Sequence, residues 1–166
     1  MTGARQAEVR AEEAKAIQLA DVLRDVEELT RVEAENKDLF LSVDIAPDLP
    51  LVRAKPDHIK AVWTNLISNA IKYTEPGGIV VASLTHNPGY VVGMVRDTGI
   101  GIAADELPKI FEEFYRTANA RAICPQGTGV GLAIVKRMIE SYGGKIWLES
   151  ESCRGSKFTF MLPRDR

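Results

Sequence analysis

Cysteine and histidine are scarce in this chain, and each scarcity closes off a class of chemistry. Its 166 residues include two cysteines, Cys124 and Cys153, and two histidines, His58 and His86. Two thiols are too few for a disulfide scaffold and their spacing fits no zinc pattern, so a reduced, cytosolic setting is expected. Neither histidine sits in a metal-ligand pattern. No apolar run approaches the ~20 residues of a membrane span, and the polar amino-terminal stretch does not read as a signal peptide. No membrane contact is therefore expected of this domain. An excess of one charge is also missing: 21 Lys and Arg stand against 23 Asp and Glu, a net charge of −2. That balance argues against a nucleic-acid binder, which usually carries a basic face. The remaining composition, 45% hydrophobic and 27% charged, is that of an ordinary core-forming domain. A domain of this length buries roughly 70% of its unfolded surface and needs no staple.

The pattern along the chain predicts an α+β fold. Residues 4–16 are rich in Ala, Glu, Arg and Gln and read as an exposed helix with few apolar anchors. A better helix is expected over about 20–36, with Val22, Leu23, Val26, Leu29 and Val32 at three- and four-residue spacing. Leu39 to Ile45 alternates like a strand, and Leu51 to Ala54 reads as a short one. Asp57, with Pro56 before it, is placed to cap a long helix that Pro76-Gly77-Gly78 ends. Ile79 to Leu84 and Tyr90 to Val95 read as paired strands around Asn87-Pro88-Gly89. Ile102 to Gln126 has short helical turns and no strand run. Helix resumes at about 130–142 and stops at Gly143-Gly144. Lys145 to Ser150 and Ser156 to Leu162 form a closing hairpin. The order suggests helices on one face of a mixed, largely antiparallel sheet.

Three motifs carry chemistry. Asn65 and Asn69 are four apart and share one helical face; their amide oxygens are hard ligands suited to Mg²⁺. Lys72 can neutralise phosphate and Tyr73 can pack against a base. The second motif, Asp97-Thr98-Gly99-Ile100-Gly101-Ile102, puts a carboxylate at a strand end and follows it with glycines that allow close backbone approach. Asp97 either closes a local Asx turn or accepts a hydrogen bond from an exocyclic amino group. The stretch Gly99 to Ala104 also matches the dinucleotide fingerprint, but that motif needs a parallel strand within ~30 residues. The next strand run begins near Lys145, which removes that reading. The third motif, Gly127-Thr128-Gly129-Val130-Gly131, opens a helix whose free N–H groups suit an anion. It lacks the Gly-Lys-Ser/Thr of a Walker A loop. The irregular basic segment between the glycine motifs, with Arg116 and Arg121, is placed like a lid over phosphates.

In order, Asn65-x-x-x-Asn69-Ala-x-Lys72-Tyr73-Thr74, Asp97-x-Gly99-x-Gly101-Ile102, Phe111-x-x-Phe114-Tyr115-Arg116 and Gly127-Thr128-Gly129-x-Gly131-Leu132 resemble the catalytic ATP-binding domain of sensor histidine kinases. Their superfamily also holds type II topoisomerase, mismatch-repair and chaperone ATPases. The resemblance covers about residues 17–163 and implies a Bergerat-type two-layer sandwich, with about three helices on one face of the sheet. It implies that Asn65 and Asn69 hold Mg²⁺ and phosphates, that Lys72 contacts phosphate, and that Tyr73 packs near the adenine. Asp97 would bind the adenine amino group, with Gly99, Gly101 and Ile102 shaping the pocket and Ser156 supporting it. Phe111 and Phe114 would anchor the lid and Arg116 would approach the phosphates. Gly127, Thr128, Gly129, Val130, Gly131 and Leu132 would form its far hinge.

Two departures refine the expectation. Hydrolytic members of the superfamily place Glu where Asn65 stands. An amide has no useful proton affinity, so transfer to another group is expected rather than hydrolysis. The phosphoacceptor motif, His followed by an acidic residue, is also missing, since Ile59 follows His58 and Asn87 follows His86. Residues 1–16 are expected to be the helical tail of an absent dimerisation and phosphoacceptor domain, and 17–166 the catalytic domain. The implied partners are ATP, that helical domain and, indirectly, a response regulator. The piece is expected to be monomeric and the full-length protein a homodimer. The rival reading is a nucleotide-binding regulatory module or an anti-sigma-type serine kinase.

Overall fold

Alternating apolar residues build one five-stranded sheet, and stripes of apolar residues lay helices across it. The structure, a computed structural model, describes residues 14–112, 131–150 and 153–165. The elements run β1 (Lys15–Ile17), α1 (Leu19–Asn36), β2 (Phe40–Ile45), β3 (Val52–Ala54), α2 (Pro56–Lys72), β4 (Ile79–His86), β5 (Tyr90–Asp97), a short 3₁₀ turn (Leu107–Lys109), α3 (Gly131–Ser141), β6 (Lys145–Ser150) and β7 (Ser156–Pro163). The main sheet has the order β2-β4-β5-β7-β6. β2 runs parallel to β4, and every other pairing in it is antiparallel. Along β5, Val91, Gly93, Val95 and Asp97 are buried while Val92, Met94 and Arg96 are more open, the period-two pattern of a sheet covered on one face. The helices pack against that buried face: α1 meets β2, α2 meets β4 and β5, and α3 meets β6 and β7. Among the described residues this is the two-layer α+β arrangement, with three helices, that the sequence predicts.

α2 is the central helix. Ile59, Val62, Trp63, Leu66, Ile67, Ala70 and Ile71 are all buried, a stripe at helical spacing. Trp63 meets the Phe160 ring edge-on at 5.0 Å. Gly93 faces Phe160, and a Cβ there would overlap the Phe160 ring. α3 ends as expected, with Gly143 at φ +78 and Gly144 N–H donating to Ile139 O at 3.0 Å, a Schellman-type stop.

Four expectations need correction. Lys15 and Ala16 are not helical; with Ile17 they form β1, which pairs antiparallel with β3 in a separate two-stranded sheet. The rest of the 4–16 segment lies outside the described residues. On α1 the buried face is Leu19, Ala20, Leu23, Val26, Thr30 and Ala34. Leu29 and Val32 are 63% and 62% exposed, because a face started at Leu19 passes through Thr30 and Ala34, whose small side chains let the helix sit close. Asp57 does not cap α2: Lys55 is the N-cap, Pro56 occupies the first turn and no side chain caps the end. The Lys55 N–H instead donates to Tyr142 Oη at 3.1 Å. That hydroxyl lies 2.7 Å from His58 Nδ1, so His58 joins the start of α2 to the end of α3. Finally, α2 stops at Lys72, before Pro76. Among the described residues no helix is long and apolar enough to cross a membrane.

Substituting Gly93→Ala is expected to destabilise the fold by about 1–3 kcal/mol through overpacking, and Gly93→Ala/Phe160→Leu to recover part of it. Thermal unfolding of the two variants measures this; a fully stable Gly93→Ala would contradict the packing described.

Candidate functional site

The exposed edge of α2 carries the asparagine pair. Asn65 and Asn69 are half-buried. Asn65 Nδ2 donates to Ala61 O at 2.7 Å, which fixes the amide and turns Oδ1 away from its own helix. That oxygen faces the first residue of α3: a Cβ on Gly131 would come within 2.8 Å of it. The amide oxygen of Asn65 is thus presented beside a helix N-terminus, where N–H groups and the macrodipole favour anions. One turn on, Asn69 O accepts the Tyr73 N–H that closes α2. Lys72 Nζ lies 5.9 Å from the centroid of the Tyr73 ring, within cation–π range. Gly131 and Leu132 begin α3, which anchors through Ala133, Val135 and Ile139.

Asp97 ends β5, paired with Val80 on one side and Ser156 on the other. It is buried, at 9% exposure. Burial pushes its carboxyl up to about 6, opposed by the backbone N–H groups of Gly99 and Ser156. Gly99 N–H donates to Oδ1 at 2.9 Å, so the local Asx turn does form. A carboxylate has about four lone-pair sites, and the turn leaves capacity for a ligand donor.

Close backbone contacts join this loop to its neighbours. A Cβ on Gly99 would overlap Tyr73 O and come within 2.9 Å of Asp97 Oδ1 and Thr74 Oγ1. Ile100 N–H donates to Tyr73 O at 3.1 Å, which docks the loop on the end of α2. Gly101 takes φ +69, a left-handed turn that glycine adopts without penalty. On the other side, Cys153 N–H donates to Ile100 O at 2.7 Å, and Ile102 N–H donates to Ser150 Oγ at 2.8 Å. Ser150 Oγ donates to Gly155 O at 2.8 Å and lies 3.0 Å from Ser156 Oγ. The Gly155 backbone lies so close to the Asp97 carbonyl that a Cβ would overlap it.

The structure therefore brings together Asn65, Asn69, Lys72, Tyr73, Asp97, Gly99, Gly101, Ile102, Gly131, Leu132 and Ser156 along α2, the Asp97 loop, the start of α3 and the β6–β7 turn. Phe111 meets Phe158 edge-on at 6.2 Å, and Lys136 Nζ lies 5.8 Å from the Phe111 centroid. Phe114, Arg116, Gly127, Thr128, Gly129 and Val130 lie outside the described residues. Two contributors have no role assigned from the sequence, although Thr74 closes the motif that begins at Asn65. Ser150 belongs to no motif, and its part follows only from the β6–β7 register. Thr74 follows Lys72-Tyr73 directly; its Oγ1 is buried with no hydrogen-bond partner among the described residues. Among those residues no group of three His, Cys, Asp or Glu could hold a metal. The amide oxygens of Asn65 and Asn69 are hard donors of the kind Mg²⁺ takes, and the Asn65 amide is oriented by its bond to Ala61 O.

The raised Asp97 pKa gives a signed prediction. Folding favours the protonated carboxyl, so its contribution to stability is full below about pH 4, the unfolded value, and is lost as pH rises through about 6. Relative to Asp97→Asn, wild-type stability is expected to fall by about 2–3 kcal/mol between pH 4 and pH 7. Parallel denaturant titrations measure it; a difference that does not change with pH would contradict the burial of this charge.

With this geometry in place, comparisons identify the kind of domain. The family described as "Histidine kinase-, DNA gyrase B-, and HSP90-like ATPase" matches residues 54–166. The adaptive-response sensory kinase SasA of Thermosynechococcus vestitus is 38% identical over 151 residues, 90% of this chain and 39% of that protein. The sensor histidine kinase WalK of Bacillus subtilis is 39% identical over 132 residues, 77% of this chain and 20% of that protein. The chain thus spans a minority of the length of the curated relatives it matches. Among solved structures, the nucleotide-free catalytic domain of histidine kinase ThkA superposes with a TM-score of 0.80 at 28% identity, covering 92% of this chain and 98% of that one. Full-length ShkA in complex with AMPPNP gives 0.79 at 29% identity, covering 92% of this chain and 32% of that one. Sequence and fold agree, and this chain belongs to the histidine kinase-, gyrase B- and HSP90-like ATPase family as a catalytic domain of the sensor histidine kinase type.

Proposed function

We propose that the domain binds ATP with Mg²⁺ and offers the γ-phosphoryl group to a histidine on a separate helical dimerisation domain of the same sensor. The observation that carries this reading is the buried carboxylate of Asp97 at the strand end, bracketed by the end of α2 and the β6–β7 turn. A buried acceptor of this kind is matched to a donor such as the adenine amino group. Gly99, Gly101 and Ile102 shape the pocket, Ser156 supports it through Ser150, and Tyr73 packs beside the base. From there the phosphates run toward Lys72, the asparagine pair and the N-terminus of α3. Asn65 and Asn69 hold Mg²⁺; when bound, it supplies charge neutralisation on the transferring group. Arg116 and the Gly127, Thr128, Gly129 and Val130 segment are assigned to the phosphate side on their motif alone.

The chain's own residues then have three tasks: bind, orient and screen charge. Phosphoryl transfer asks for little else, since most of the acceleration comes from positioning and electrostatics. Asn65 cannot take a proton from water, so nothing at that position activates hydrolysis. His58 is engaged with Tyr142, which fits an acceptor histidine lying elsewhere. The response regulator is reached only through that histidine, and the working setting is the cytoplasm, where ATP is available. The full-length protein is a homodimer through the helical domain.

Two measurements test the reading. Asp97→Asn is expected to weaken ATP binding by about 10- to 100-fold, the loss of one charge-assisted hydrogen bond, with the fold retained; unchanged affinity in a calorimetric titration would sink the adenine assignment. With labelled ATP and the separate helical domain added in trans, acid-labile phosphohistidine is expected on that domain and none on His58 or His86. Phosphoserine would favour the anti-sigma-type alternative, and binding without transfer would favour a regulatory module.

A further inference from the structure

The end of α2 has a carbonyl that no helix can satisfy. Continued α-helix would bond Lys72 O to the N–H of residue 76, but residue 76 is Pro76 and has none. Helix ends leave such carbonyls in need of outside partners, and they carry the negative end of the macrodipole. Here the partner comes from a distant turn. Lys37 Nζ donates to Lys72 O at 2.7 Å and to Ile71 O at 2.8 Å. Lys37 is the residue on which α1 ends, 34 and 35 positions away in sequence from the two carbonyls.

The turn that carries Lys37 is itself held in place. Lys37 N–H and Leu39 N–H both donate to Ala34 O, at 3.1 and 2.9 Å, and Asp38 takes φ +58. Asp38 O accepts the Gly77 N–H at 2.8 Å, and Gly78 O accepts the Phe40 N–H at 3.0 Å. The two turns, one after α1 and one after α2, are thus laced together next to the Lys37 contact. Burial pulls the Lys37 pKa down from its ordinary value, and Glu33 and Glu75 act in the opposite direction. The next carbonyl along, Tyr73 O, accepts Ile100 N–H from the Asp97 loop. Lys37 therefore fixes the stretch of chain where the asparagine helix and the Asp97 loop meet.

We propose that Lys37 is a positioning residue of the nucleotide site: its ammonium group sets the end of α2 from which Lys72, Tyr73 and Thr74 face the nucleotide. This rests on the ATP-binding reading above. Without Lys37 the Ile71 and Lys72 carbonyls lose their charged partner, the last turn loosens, and the Ile100–Tyr73 bond loses its fixed acceptor. A long arginine can still donate to both carbonyls; a methionine of similar length cannot.

The test uses the whole chain, with ATP affinity measured by calorimetry well below the unfolding midpoint of each variant. Wild type is expected to bind ATP. Lys37→Met is expected to raise its Kd roughly ten-fold, a loss of about 1.4 kcal/mol, and Lys37→Arg to recover most of the loss. Leu49→Ala, a core truncation in the loop between β2 and β3, lowers stability by a general route and is expected to leave Kd unchanged. A wild-type Kd in Lys37→Met, an Arg variant no better than Met, or an equal weakening in Leu49→Ala overturns the inference. A wild-type chain that does not bind ATP overturns the reading beneath it as well.

Discussion

The site depends on keeping one carboxylate out of water at the end of a strand. Burying an ionisable group without a full set of partners is costly, and Asp97 shows that cost in its raised pKa. The surrounding sheet holds it there. Asp97 is the last paired residue of β5, flanked by Val80 and Ser156, so its position is set by hydrogen bonds that run the length of the core. The loop that follows is free only to wrap around it, and glycines at 99 and 155 let backbone from two directions close in where any side chain would collide. Contacts within the chain thus fix the backbone around Asp97, and such preorganisation favours selectivity at low entropic cost.

The side proposed to take the phosphates obeys a different constraint, set by helix ends. α2 ends at Lys72, and α3 begins beside Asn65, about two turns earlier on α2. A helix C-terminus repels anions and an N-terminus attracts them. The conflict is relieved by charge: Lys72 lies on the last turn of α2, and Lys37 covers its terminal carbonyls from outside. Asn65 sits between the two helices with its amide turned toward α3. A carboxylate at that position would add a negative charge and a base; the amide adds neither. Under the proposed function, that difference suits the arrangement to transfer rather than to hydrolysis.

Much of this was legible in the sequence because local patterns dictate it. The α2 stripe from Ile59 to Ile71, the β4–β5 hairpin and the Gly143-Gly144 stop are set by residues near one another in the chain. The asparagine pair and the Asp97 loop were readable for the same reason, as spacing within one element. Other features depend on partners far away in sequence. Leu29 and Val32 have a helical period, yet the face that packs is chosen by what α2 and β2 offer, and small Thr30 and Ala34 fit there. β1 was hidden in a helix-forming composition because a strand of three residues is decided by its partner, β3. Lys37 and Ser150 belong to no motif, since their roles come from contacts with Lys72 O and Ile102 N–H that only the fold creates.

The central claim is that the asparagine helix and the Asp97 loop are two halves of one adenine-nucleotide site. The most direct measurement is a crystal structure of the chain with a non-hydrolysable ATP analogue and Mg²⁺. The account predicts the adenine amino group within hydrogen-bonding distance of the Asp97 carboxylate, and the phosphates lying toward Asn65, Lys72 and the start of α3. An adenine bound away from Asp97, or phosphates directed away from the asparagine pair, would contradict it.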